Sequence, residues 1–418
     1  MRDVVVDGSA LTVDDVVAVA RGQARVKLAD DVPKRMEKSR SVVVEALRGD
    51  APVYGVNTGF GALADTPVGE ADLTTLQGAI VRSHAAATGA PLDDETVRAI
   101  LLLRARTLAA GYSGVRADLP ARLLELLSLD LLPVIPGKGS VGASGDLAQL
   151  AHLAQPLIGE GRLRSPGDPA DGRPAGEVLR EHGLEPLTLA PKEGLSLVNG
   201  TEPMQALLAF SVHDAAMLVQ AADVACGLSV EALLGTDRPY DERVQVIRPH
   251  PGQLVSAANL RGLLAGSGLL ASHRHSRHAV QDAYCLRCAP QVHGAVRDVL
   301  TFARQILITE LHMTCLIEVH DMDNLMRVRD HVIGFPHRSY SLLGINNRDL
   351  RTFKTDLGTT MRMADLVADK DVLVSESGIN DQDDVRKLAN EGVRAALVGE
   401  SLMRADDVTA KIRDMFFE

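Results

Sequence analysis

The spacing of apolar residues changes late in this 418-residue chain, and that change limits what it can fold into. Up to about residue 305, stretches such as 73–87, 94–110, 119–129 and 202–228 repeat apolar side chains at helical spacing. After about residue 310, short apolar runs at 314–320, 339–345, 372–375 and 395–398 read as strands. They alternate with amphipathic segments at 323–333, 359–368, 381–391 and 406–416. Such alternation predicts a parallel sheet with right-handed crossovers. The chain therefore reads as multidomain: mainly α over 1–305, then α/β over 306–418, with no linker marking the join at 304–313. Residues 159–186, rich in Gly, Pro and charge, read as a surface excursion. Pro203 sits where a long helix after Thr201 would tolerate it.

Composition removes some partners. Hydrophobic residues at 46% and charged residues at 24% suit a globular protein, and with aromatics at 3% and no Trp the cores must be built from Leu, Val and Ala. A net charge of -11 argues against nucleic acid and anionic membrane. Arg104 and Arg106 break the richest apolar stretch, so no transmembrane run is expected. The N-terminus MRDVVVDG lacks a signal peptide's basic-then-apolar order, which points to the cytoplasm. Cys285 and Cys288 form a C-x-x-C with no second pair at finger spacing and read as reduced thiols. His273, His275 and His278, interleaved with Arg274 and Arg277, read as a solvated basic face, so no metal site is expected.

The run 137–147, GKGSVGASGDL, carries the chemistry. Glycine lacks a Cβ, so the chain can turn back until the Gly145 nitrogen reaches the Ala143 carbonyl. Ring closure, with loss of water including the Ser144 hydroxyl, leaves a conjugated methylidene that accepts electron pairs. Alone, A-S-G is a common loop sequence. Gly137, Gly139 and Gly142 also fit a dinucleotide fingerprint with Glu160 as the acid, but Pro133 and Pro136 interrupt the strand it requires.

Further strings stand beside this run in order: YGVNTGFGAL at 54–63, RSHAA at 82–86, KEGLSLVNGTE at 192–202 and VQDAYCLRCAPQVHGA at 280–295. Together they resemble the histidine and aromatic amino-acid ammonia-lyases, which carry a 4-methylidene-imidazol-5-one (MIO) group. Ser83-His84 resembles the histidine-selective branch. The resemblance implies elimination of ammonia from L-histidine to give urocanate, with the MIO formed from Ala143, Ser144 and Gly145. It implies that Tyr284 is the base, which requires a phenol pKa below its usual value of about 10. It also implies that Arg287 clamps the substrate carboxylate, His84 recognises the imidazole, Asn199 and Gln281 orient substrate and MIO, and Tyr54 lies over the reaction centre. A homo-oligomer is implied too. Gln149 stands where the family usually has proline, and Glu202 where it often has glutamine. The family's later Asn-Phe motif, its glutamate and most of its long bundle are not found.

The later strings LIEVHD at 316–321, LLGINNRDLRTFKTDL at 342–357, VLVSESGI at 372–379 and ALVGESLMR at 396–404 resemble indole-3-glycerol-phosphate synthase. They correspond to strands five to eight of its (β/α)8 barrel, whose chemistry sits at the C-terminal strand ends. The resemblance implies Glu318 as a catalytic carboxylate, Asn346 and Arg348 on the anthranilate, and Glu376 and Ser377 in the strand-seven site. Gly378, Gly399 and Ser401 would cradle a phosphate. Strands one to four are absent, and a half barrel leaves open edges. The leading expectation is a histidine ammonia-lyase. The alternatives are an indole-3-glycerol-phosphate synthase and a non-catalytic fusion of two enzyme fragments.

Overall fold

The computed structural model describes residues 1–418 except 10, 50, 62–65, 141–144, 277–279, 306–314, 320–340, 349–354, 368–369, 371–372, 399, 404, 406 and 417–418. Backbone contacts divide the chain into two units. One comprises Met1–Ser9, Val19–Met204 and His312–Glu418; the other comprises Ala10–Ala18 and Gln205–Leu311.

The centre of the first unit is the helix Asp94–Ala109. Asp93 starts it by accepting from the Thr96 amide at 2.8 Å, and Asp94 and Glu95 complement the dipole of the first turn. Its apolar residues are buried all round, including Ile100, Leu101 and Leu102. The helix Asp118–Ser128 packs beside it through Leu119, Leu123 and Leu126, which recur on one helical face. Burying each such leucine contributes about 1.5–3 kcal/mol. Helices Glu70–His84, Leu147–Ala154 and Glu193–Val198 pack against one another.

Pro136 lies in the short strand Pro136–Lys138, antiparallel to Thr88–Pro91. The glycines of 137–142 therefore follow none of the parallel strands that a dinucleotide loop needs. Residues 159–186 are more than a surface excursion. Arg162–Arg164 joins a three-stranded antiparallel sheet with Leu132–Pro133 and Arg173–Pro174, and the helix Ala175–Glu181 follows. Leu163, Val178 and Leu179 are fully buried. A few well-placed aliphatic residues outweigh the Gly and Pro content there.

In the second unit, helices Pro251–Leu264 and Ala289–Gln305 cross closely enough that a Cβ on Gly252 would strike the Gly294 carbonyl oxygen. Both meet the helix Glu202–Ala232, which runs on from the first unit with Pro203 in its first turn. Asp223 on that helix is buried and accepts from Asn259 Nδ2 at 2.8 Å, His293 Nδ1 at 2.8 Å and Arg297 Nη2 at 2.7 Å. Burial pushes the Asp223 carboxyl upward, but these three donors together hold it below its ordinary value. The stretch Glu193–Ala232 is long and apolar enough to cross a membrane by length and composition, contrary to the expectation that no such run exists. Between Pro203 and Val230 the acidic side chains are Asp214 and Asp223 and no Lys or Arg occurs, so the charges at Arg104 and Arg106 were no guide to it.

The C-terminal part is a parallel sheet whose four strands, Cys315–Val319, Ser341–Asn346, Leu373–Glu376 and Ala395–Leu397, lie in chain order. Helices Gly358–Ala364, Gln382–Asn390 and Val408–Phe416 accompany them, and Ile345, Met363, Leu373 and Leu388 share a core. The helix expected at 323–333 lies outside the described residues. Asn347 ties the sheet to its helix. Its Nδ2 donates to Ser375 Oγ at 3.0 Å and to the Ser377 carbonyl at 3.0 Å. Its Oδ1 accepts from the Thr360 amide at 3.0 Å and from Thr360 Oγ1 at 2.9 Å.

Candidate active site

The first unit gathers four of the sequence motifs around the short helix Glu193–Val198. Gly194 faces the helix Glu70–His84 so closely that a Cβ would strike the Gln77 carbonyl. Gly55, next to Tyr54, meets the Leu195 side chain in the same way. After Val198 the chain turns through Asn199, whose Nδ2 donates to the Leu195 carbonyl at 2.9 Å. Gly200 then lies against Gly145. The Asp146 amide donates to the Gly200 carbonyl at 2.7 Å, and a Cβ on Gly145 would overlap that carbonyl. Gly145 has φ +118°, a conformation open to glycine and strained for other residues. Ala143 and Ser144 lie outside the described residues.

Asp146 is fully buried. Its carboxylate accepts from Ser140 Oγ and from the Met204 amide at 3.1 Å. Burial pushes its pKa above the ordinary value and the Glu202 charge adds to this, while the two donors pull the other way. Glu202 itself pairs with Arg104 at 2.8 Å, and both are about 1% exposed. Neither Asp146, Arg104 nor Glu202 emerged from the sequence as a site residue. The clue was that Asp146 and Glu202 both lie within strings already singled out.

His84 ends its helix with Nδ1 2.9 Å from the Ile80 carbonyl and 3.0 Å from Ser83 Oγ. A carbonyl only accepts, so Nδ1 carries the hydrogen, and in the neutral ring Nε2 is left as the acceptor. Tyr54 is half exposed, edge-on to Phe60 at 6.2 Å.

The second unit carries the other expected group. Arg287 Nη1 donates to Gln281 Oε1 at 2.6 Å, and its guanidinium lies 5.5 Å from the Tyr284 ring centroid. Arg287 Nε has no hydrogen-bond partner among the described residues. Tyr284 is exposed and opens the helix Tyr284–Arg287. Its phenol pKa is raised, against the lowering a base requires, because the Cys288 side chain hydrogen-bonds it and outweighs the Arg287 charge. Cys226, Cys285 and Cys288 are free thiols, and among the described residues no group of three or more His, Cys, Asp or Glu side chains is placed to hold a metal.

In the C-terminal part, Asn346 and Glu376 face each other at the ends of paired strands. Glu376 is buried; Ser377 and Gly378 follow with positive φ of 64° and 73°. The Asn346 side chain accepts from the Arg348 amide at 2.9 Å. Ser401 Oγ donates to the Ile379 carbonyl at 2.8 Å, so its hydroxyl is engaged within the fold. Glu318 is described only in its backbone, opposite Gly344, and Gly399 lies outside the described residues.

The aromatic amino acid lyase family matches residues 11–315. The chain belongs to that family. The indole-3-glycerol phosphate synthase family matches residues 303–415, directly behind. Over 317 residues the chain is 49% identical to a histidine ammonia-lyase of Anaeromyxobacter dehalogenans, covering 75% of this chain and 62% of that protein. A histidine ammonia-lyase of Caldanaerobacter subterraneus is 44% identical over 312 residues, 75% of this chain and 60% of the relative. Among solved structures, histidine ammonia-lyase from Trypanosoma cruzi superposes with TM-score 0.66 at 39% identity, over 74% of this chain and 56% of that one. Tyrosine aminomutase from Streptomyces globisporus gives TM-score 0.67 at 38% identity, over 74% of this chain and 61% of the other. The chain thus spans about three-fifths of the length of the curated relatives it matches.

Proposed function

We propose that residues 1–305 form a histidine ammonia-lyase module that converts L-histidine to urocanate and ammonia. The observation that carries this reading is the contact of Gly145-Asp146 with Gly200, which joins the A-S-G run to the N-G-T run. The site fits an MIO group made from Ala143, Ser144 and Gly145: Gly145 holds a backbone conformation reserved for glycine against a carbonyl that excludes any Cβ. When formed, that group supplies the electrophile needed to make ammonia a leaving group. His84, with Nε2 as acceptor, suits the N–H of the substrate imidazole. Arg287, with Nε unengaged, suits a carboxylate in a charge-assisted fork. Tyr284 would act as base once the Cys288 contact is broken, since that contact is the first cause of its raised pKa.

The test is urocanate formation from L-histidine by the full chain, followed by its near-ultraviolet absorbance, beside a Ser144→Ala control. Turnover by the parent and none by the control supports the reading. Equal rates in both chains refute it. The exposed row Val292, Val296, Val299 and Phe302 supports self-association of the chain.

Residues 306–418 are proposed to be strands five to eight of a (β/α)8 barrel with a phosphate-binding end. Support comes from the four parallel strands in chain order, from the polar Asn346, Glu376 and Ser377 at their C-terminal ends, and from the positive φ of Gly378 beside them. Phosphate-dependent protection of 341–416 from proteolysis tests it, and equal cleavage with and without phosphate would count against it.

A further inference from the structure

Arg104 and Glu202 are buried side chains in the first unit, and neither belongs to the set that touches substrate in the reading above. Arg104 comes from the middle of the core helix Asp94–Ala109, and Glu202 is the first residue of Glu202–Ala232. Arg104 Nη1 donates to Glu202 Oε1 at 2.8 Å, and Arg104 Nη2 donates to the Ser196 carbonyl. The guanidinium thus grips both ends of the segment 196–202. Between those ends lies Gly200. A Cβ on Gly200 would collide with Glu202 Oε2 and with Arg104 Nη1, so the ion pair forms a wall behind the Gly200 backbone. On the opposite side Gly200 presents its carbonyl to the Asp146 amide and to the Cα of Gly145. Glu202 Oε2 and Arg104 Nε have no hydrogen-bond partner among the described residues. A buried pair left partly unsatisfied is a poor device for stability alone, because apolar residues of similar volume often do as well. Its geometry suits another use: fixing a backbone.

We propose that the Arg104–Glu202 pair is a positioning device that presses Gly200 against Gly145 and so sets the rate at which the 143–145 tripeptide cyclises. The proposal rests on the reading that this tripeptide forms an MIO group. In that step the Gly145 nitrogen bonds to the Ala143 carbonyl carbon, whose oxygen leaves as water with the amide hydrogens of Gly145 and Ser144, and the Ser144 nitrogen becomes doubly bonded to that carbon. A second water takes the Ser144 hydroxyl with the Ser144 α-hydrogen and leaves the methylidene. The ring closes only if the Gly145 nitrogen is directed at that carbon, and Gly145 is held by Gly200. A small displacement at such a centre lowers rates steeply, by about 10²-fold for an ångström. Glutamine at 202 keeps an oxygen for Arg104, whereas aspartate draws the carboxylate back from Gly200.

Cell-free synthesis of the full chain, with the loss of two waters from peptide 143–145 followed by mass spectrometry and the new near-ultraviolet band by absorbance, reads the step without any substrate. Glu202→Gln is expected to cyclise close to the parent's rate. The double variant Arg104→Met/Glu202→Leu, in which no charge is left buried, is expected to keep its helical circular dichroism and cyclise at least about tenfold more slowly. Glu202→Asp, which keeps the charge pair and so does not put folding at issue, is also expected to be slowed. Parental rates in both the double variant and Glu202→Asp overturn the positioning role while leaving the lyase reading intact. A parent chain that never loses the two waters overturns that reading, and this proposal with it.

Discussion

Replacing Asp223 by alanine removes the one acceptor on which three side chains from two other helices converge. Asn259 comes from Pro251–Leu264, and His293 and Arg297 come from Ala289–Gln305. The Asp223 side chain is 1% exposed and that of Arg297 17%, so water replaces little of what is lost. Among the described residues Arg297 then keeps the 2.9 Å bond from Nε to Ser256 Oγ, which is neutral. Breaking one side of a buried charge pair costs about 3–5 kcal/mol, and this carboxylate lies at the deep end of that range of burial. At about 1.4 kcal/mol per factor of ten, opening of the second unit should become roughly two to three and a half orders of magnitude more populated. Hydrogen exchange is the suitable assay, because it reads local opening in a chain whose two units need not unfold together. The expected result is a drop of that size in amide protection over 251–264 and 289–305, with helix 94–109 unchanged. A paired Asp223→Leu/Arg297→Met chain should recover most of the protection. Protection in Asp223→Ala within threefold of the parent would refute the argument that this carboxylate organises the unit.

Gly145→Ala should abolish cyclisation of 143–145 even where the chain folds, since the new Cβ overlaps the Gly200 carbonyl and φ +118° is strained for alanine by about 1–3 kcal/mol; peptide mass reads the outcome. Asp146 holds its proton more tightly when folded than when unfolded, chiefly through burial. Its protonation therefore stabilises the fold below the ordinary value of 3.8, and that contribution is lost as pH rises through the raised folded value. Asp146→Asn should flatten this part of the urea midpoint against pH. Tyr240→Phe removes a buried hydroxyl that donates to the Leu286 carbonyl at 2.8 Å, and should cost about 1–2 kcal/mol in the same urea assay.

Much of the helical front was legible because burial follows period. The expected 94–110 and 119–129 helices appear as Asp94–Ala109 and Asp118–Ser128. The strand expected at 372–375 appears as Leu373–Glu376 for a related reason, a short apolar run between turn residues. Part of what escaped the sequence depended on partners distant along the chain. Arg104 read as a charge that breaks an apolar run, yet it is buried because its acceptor stands 98 positions further on. Residues 159–186 read as surface because composition does not show where Leu163 and Leu179 point. The base role that the resemblance implies for Tyr284 requires a lowered phenol pKa, and nothing in the local string says whether Cys288 or a cation will dominate that phenol. The Asn347 cluster went unnoticed because asparagine, threonine and serine carry no periodic signal.

That cluster has a consequence for how such chains are assembled. All of its members lie within 347–377, so the polar bonds that lock strand, helix and following strand in register are supplied by one short stretch of gene. A crossover on the N-terminal side of that stretch carries the lock across intact, whatever precedes it. Recombination there transfers a segment that brings its own alignment, whereas a breakpoint between Asn347 and Ser375 would separate donors from acceptors and leave both daughter chains with buried, unmatched polar groups.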